Sequence, residues 1–172
     1  RDYRALFKGL YIEKSDVWEL ANSAPVFTFD FKNLSADNYR LQLHRQVDKH
    51  INTYVDTNKL TGYLQRAYLE FQSSKEVYTE GLLLLTELVY ETTGKRSYIF
   101  IDEYDKLLTD NYSNASYEEI KLFETQFLSA GLKSNNYLQK ALLTGVMRVS
   151  RESILSGLNN LQTYDLFTDG LY

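Results

Sequence analysis

The chain has no cysteine and a single proline, Pro25, among its 172 residues. Without cysteine there is no disulfide, no thiolate nucleophile and no cysteine-based zinc site, a pattern compatible with a reducing compartment. An intracellular, cytoplasmic location is the expectation. No apolar run approaches the roughly 18 residues that a membrane span requires; Leu82 to Leu85 amounts to one helical turn. The net charge is −4, and no cluster of Lys and Arg forms a basic footprint for nucleic acid. The chain opens Arg1-Asp2-Tyr3-Arg4, with neither an initiator Met nor a signal-peptide core, and is expected to be an internal piece of a longer protein. The three Asn-x-Ser/Thr sequons, at Asn33, Asn111 and Asn114, carry no weight without a secretory signal.

What remains is an ordinary globular composition, 44% hydrophobic and 24% charged, enough for one domain with its own core spanning residues 1–172. Its focal stretch is Tyr98-Ile99-Phe100-Ile101-Asp102-Glu103-Tyr104-Asp105. An apolar, β-favouring run that ends in two adjacent acids reads as a buried parallel strand with carboxylates at its C-terminal edge. In open α/β sheets that edge is where ligands bind. Apolar strand plus Asp-Glu is the form of a Walker B motif. In that form Asp102 holds Mg²⁺ beside nucleotide phosphates and Glu103 orients the attacking water. The plain alternative is a strand end with two solvated acids.

Two further strands are expected. Pro25 opens Val26-Phe27-Thr28-Phe29-Asp30-Phe31, a β-branched and aromatic run, with proline tolerated at its start. Leu138 to Leu143 is another apolar run, closed by Thr144-Gly145. Asp30 reads as a capping or solvated acid, with a cation site as the alternative. Helices fill the intervals. Tyr39, Leu43, Val47 and Ile51 form an apolar stripe in a helix capped by Ser35 or Asp37 and running to about Tyr54. His44 and His50 flank the stripe six residues apart, the wrong interval for two ligands on one helix face, and read as surface or edge histidines. Leu60, Tyr63, Leu64, Ala67, Tyr68 and Phe71 mark a second helix. A third is expected after a Ser73–Glu76 capping box, with Gly94 as its stop. Ile120, Phe123, Phe127 and Leu128 give a fourth, ended by Gly131. Ser15 or Asp16 would cap a brief helix through Leu20, and residues 163–167 would form a short strand or loop. Strands alternating with helices predict an α/β fold: three layers, with a mainly parallel sheet flanked by helices.

Four segments together carry a resemblance. They are Leu6-Phe7-Lys8-Gly9-Leu10, the Ile99 to Lys106 stretch, Ala141-Leu142-Leu143-Thr144-Gly145-Val146-Met147-Arg148-Val149-Ser150, and Ser153-Ile154-Leu155-Ser156-Gly157-Leu158-Asn159-Asn160. The chain resembles the AAA-ATPase-like domain that is commonly fused to a PD-(D/E)XK nuclease-like domain. The resemblance implies a P-loop NTPase-like fold that binds and hydrolyses Mg-ATP, with 139–144 as the sensor-1 strand next to the Walker B strand. It implies that Thr144 contacts the γ-phosphate or the lytic water, and that Arg148 or Arg151 reaches phosphate or a neighbouring subunit. Nucleic acid would be contacted only through the fused nuclease-like domain.

One element of that pattern is missing. A working NTPase of this class needs Gly-x-x-x-x-Gly-Lys-[Ser/Thr], whose amides cradle the phosphates. Gly81-Leu82-Leu83-Leu84 and Gly94-Lys95-Arg96-Ser97 lack the spacing. The resemblance implies a P-loop ahead of Leu6 and a nuclease-like part after Tyr172. The chain alone is therefore expected to hold Mg²⁺ and ATP weakly or not at all, and to expose strand 139–144 to self-association or a partner strand. The alternative is a non-catalytic interaction module with an ATPase-like fold. A nuclease or phosphatase built on Asp102, Glu103 and Asp105 is disfavoured. No Glu/Asp-x-Lys strand follows, and Asp102 and Asp105 are three apart rather than two.

Overall fold

The computed structural model describes residues 4–146 together with 158, 161, 162 and 164. Its centre is a parallel sheet of three strands, β1 (Val26–Asp30), β2 (Ser97–Asp102) and β3 (Leu138–Leu143), in the order β1-β2-β3. The Val/Phe and Ile/Phe runs place β2 in the middle, in register with β1 from Val26↔Tyr98 to Asp30↔Asp102. The third strand pairs with the other side of β2, with one irregularity beside Ser97 and Tyr98. The expected α/β class holds.

Between the strands lie α1 (Tyr39–Tyr54), α2 (Gly62–Ser73), α3 (Gly81–Thr93), α4 (Lys106–Asp110) and α5 (Tyr117–Leu132). The α1 stripe of Tyr39, Leu43, Val47 and Ile51 is buried throughout, as its four-residue spacing requires. Helix α1 touches β1, α3 touches β2, α5 touches β3, and α3 packs against both α1 and α5. The covered sheet face carries Phe27, Phe29, Ile99 and Ile101, all essentially inaccessible. The alternate positions face outward: Thr28, Phe100 and Leu142 are exposed, the last two at 41% and 55%.

Local details depart from the sequence expectations for physical reasons. Residues 11–20 form two short 3₁₀ turns, Tyr11–Lys14 and Trp18–Leu20, instead of a helix capped at Ser15 or Asp16. Asn38, not Ser35 or Asp37, precedes α1; its side chain accepts from the Ser35 amide at 3.0 Å, closing the turn before the helix. No Ser73–Glu76 capping box forms. The Ser73 hydroxyl turns back to the Glu70 carbonyl at 2.8 Å, and α3 begins only at Gly81. Gly94 does stop α3, in the left-handed conformation with φ +68°. Gly131 is not a stop but a contact point inside α5: a Cβ there would lie 2.5 Å from the Leu82 Cβ, so only glycine lets α5 and α3 approach this closely.

The free edge of β1 is sealed by side chains. Gln46, His50 and Tyr54 recur every four residues on α1 and reach its outward backbone groups. Gln46 accepts from the Asp30 amide at 3.0 Å and donates to the Asp30 carbonyl at 3.1 Å. The His50 Nε2 lies 3.0 Å from the Thr28 carbonyl, and the Tyr54 hydroxyl bonds the Val26 amide and carbonyl at 3.4 and 3.3 Å. A helix thereby satisfies much of the edge a neighbouring strand would otherwise pair.

Candidate functional site

The strands end together at one rim, and β2 and β3 continue past their last regular residues. The Thr144 amide donates to the Ile101 carbonyl at 2.9 Å, and the Tyr104 amide to the Thr144 carbonyl at 3.1 Å. These bonds bring the two chain exits side by side. The Thr144 hydroxyl donates to Asp102 Oδ1, the same oxygen that accepts from the Glu103 amide at 3.0 Å. Among the described residues Asp102 Oδ2 has no hydrogen-bond partner, and the side chain is exposed.

Glu103 turns the chain. Its φ of +52° lies in the left-handed region, which a non-glycine side chain occupies at some cost in strain. The turn drops Tyr104 into the core and leaves Glu103 half-buried at the rim. The next acid goes inward. Asp105 is 3% exposed, and its Oδ2 accepts from the Val146 amide at 3.0 Å. Behind it on α5, Glu124 is fully buried, and among the described residues neither carboxylate oxygen has a hydrogen-bond partner. Burial, and secondarily the charge of Asp105, raises the Glu124 carboxyl well above the usual carboxylate range.

A groove of about 670 Å³ runs over the open sheet face beneath this rim. Asp30, Lys49, His50, Phe100, Asp102 and Thr144 are among its lining residues. Asp30 and Asp102 are register partners, although Asp30 Oδ1 already accepts from the Lys32 amide at 2.8 Å and so serves as the expected capping acid. His50 packs against the rings of Phe27 and Phe29, and burial lowers its pKa. Among the described residues no three acidic or histidine side chains converge as a metal cage. The donor set is instead one open carboxylate, a hydroxyl and access to water. Such a set suits a hard cation that takes most of its ligands from water and phosphate.

Among the expected site residues, the fold unites Asp102 and Thr144 across 42 positions of sequence and keeps Glu103 beside them. Arg148 lies outside the described residues. Sequence reasoning gave Asp105 a part only in the disfavoured nuclease reading, and gave Glu124 none. The hint for Glu124 was its place among Ile120, Phe123, Phe127 and Leu128, on the apolar side of α5.

The family model described as "Predicted AAA-ATPase" matches residues 1–155, which include both strand ends of the rim. The chain belongs to the AAA-ATPase-like family. A curated relative of this AAA-ATPase-like chain is the "Uncharacterized protein in vnfD 5'region" of Azotobacter chroococcum mcd 1, 35% identical over 80 residues. The matched stretch makes up 46% of this chain and 15% of that relative. No solved structure matches the AAA-ATPase-like chain significantly. No helix among the described residues is long and apolar enough to cross a membrane.

Proposed function

We propose that this rim is the metal-and-water half of a nucleoside-triphosphate hydrolysis site whose phosphate cradle is encoded outside these 172 residues. Asp102 offers its free Oδ2 to Mg²⁺, directly or through water. Glu103 orients and polarises the attacking water. Thr144 contacts the γ-phosphate or that water, and Arg148 supplies positive charge to phosphate or to a neighbouring subunit. Mg-ATP, when bound, brings the electrophilic phosphorus and most of the metal's oxygen ligands. The protein's part is positional: the Thr144–Asp102 bond fixes the carboxylate, and the left-handed turn presents Glu103 beside it. The observation that carries the reading is the meeting of Asp102 and Thr144 at the carboxyl ends of adjacent parallel strands.

The absence of any Gly-x-x-x-x-Gly-Lys-[Ser/Thr] segment favours a second reading, a non-catalytic interaction module on the same fold. The test is ATP hydrolysis by the longer protein that carries this domain. Glu103→Gln lowers turnover by about 10²–10⁴-fold if Glu103 acts as base. A wild type without turnover favours the interaction module, whereas turnover unchanged by Glu103→Gln removes Glu103 from the role of base. Any contact with nucleic acid belongs, in this proposal, to a fused nuclease-like part.

A further inference from the structure

The segment that carries Thr144 is held by more than the sheet. Thr144 uses its amide, its carbonyl and its hydroxyl, all toward residues 101–104. The next holding point is two residues on. There the Val146 amide donates to Asp105 Oδ2 at 3.0 Å, while the Val146 side chain is 90% exposed. Between these points Gly145 lies flat against the β2 exit. A Cβ on Gly145 would stand 2.6 Å from Asp105 Oδ1 and 2.7 Å from the Tyr104 ring. The backbone therefore passes over Asp105 and Tyr104 with no room for a side chain between. Of the two buried acids among the described residues, Asp105 meets this backbone donor and Glu124 does not. A buried carboxylate accepting a main-chain N–H makes a charge-assisted bond, stronger than a neutral one.

We propose that Asp105 is a positioning residue for Thr144: by gripping the Val146 amide under a close-packed Gly145, it fixes the exit of β3 so that the Thr144 hydroxyl stays on Asp102. This deepens the proposed hydrolytic reading, on which it rests for the importance of Thr144. The geometric core of the proposal stands apart from whether ATP is hydrolysed.

The test uses the 172-residue chain, labelled with ¹⁵N and ¹³C. Amide hydrogen exchange is followed at Thr144 and Val146, with Ile99 and Ile101 at the sheet centre as reporters of global stability. Three-bond couplings of Thr144 report whether its side chain is fixed or averaged. Asp105→Ala lowers protection at Val146 and Thr144 by about tenfold beyond any change at Ile99, through local opening, and averages the Thr144 couplings. Asp105→Asn keeps an acceptor oxygen of the same shape and retains a fixed Thr144. Val146→Pro removes the donor while leaving Asp105 intact, and so serves if Asp105→Ala does not fold; it also averages the Thr144 couplings. The proposal is overturned if Thr144 stays fixed in Val146→Pro, or if protection at Val146 falls only in step with Ile99. In the longer protein, Asp105→Ala lowers kcat with KM for ATP unmoved. A wild type without hydrolysis, combined with the exchange result above, would remove the functional reading and leave the positioning role standing.

Discussion

Thr144 donates its hydroxyl to Asp102 Oδ1, so two neighbouring parallel strands are joined by side chains just where their backbone ladder ends. The bond is exposed and contributes modestly to folding. Thr144→Val is expected to cost about 0.5–1.5 kcal/mol in urea unfolding, the range for one ordinary hydrogen bond. Thr144→Ser is expected to restore most of it. A loss several times larger would mean that Thr144 is chiefly a core residue.

Glu124 gives a pH signature. Its folded carboxyl titrates well above the ordinary value near 4.5, mainly through burial. The folded state therefore keeps a proton that the unfolded chain gives up as pH rises past about 4.5. Stability from this group is full below that value and declines as pH climbs toward the raised one. Glu124→Met, similar in volume and without charge, is expected to stabilise the chain at pH 7, because it removes a buried carboxyl without a hydrogen-bond partner among the described residues. The gain should shrink toward pH 4.5. Urea midpoints measured across that range check both the sign and the slope.

The two histidines of α1 give a second signature, of opposite slope. Burial lowers the pKa of both His44, stacked on Phe71, and His50, packed on Phe27 and Phe29. Their folded pKa values lie below the unfolded value of about 6.5. The stability they permit is full above that pH and is lost as pH falls through the lowered values. His50→Gln is expected to flatten the part of the acid loss that comes from His50. Gln46→Ala with Tyr54→Phe should cost about 1–3 kcal/mol by leaving β1 backbone groups unmet, read as a drop in melting temperature.

The two sheet edges differ, and so should their behaviour. Side chains of α1 cover the outer edge of β1, whereas no side-chain hydrogen bond among the described residues reaches the outer backbone of β3. Exposed Leu142 lies on that strand. Self-association through residues 139–144 is the expected outcome at high concentration, and Leu142→Lys should reduce it. Sedimentation analysis distinguishes this from a monomer at all concentrations, which would count against an available β3 edge.

The parts of this molecule that could be read from sequence are those governed by local pattern. Three β-favouring runs gave the three strands, and the four-residue spacing of Tyr39, Leu43, Val47 and Ile51 gave the buried face of α1. The meeting of Asp102 with Thr144 followed from a resemblance that made their strands neighbours. What escaped depends on contacts between distant segments. Asp105 looks like a third surface acid until the β3 exit is laid over it. Gly131 looks like a helix stop until α3 is brought against it. Gln46, His50 and Tyr54 form a visible polar period, but nothing local says that a strand edge waits opposite.

The claim at the centre is that the carboxylate ending β2 is open to a divalent cation. Mn²⁺ titration of the ¹⁵N-labelled chain, followed by paramagnetic line broadening, tests it most directly. The account predicts that the Glu103 and Thr144 amides broaden before those near the surface acids Asp37 and Asp56, and that Asp102→Asn removes the effect. Broadening that is equal at all surface acids, or that survives Asp102→Asn, would contradict it.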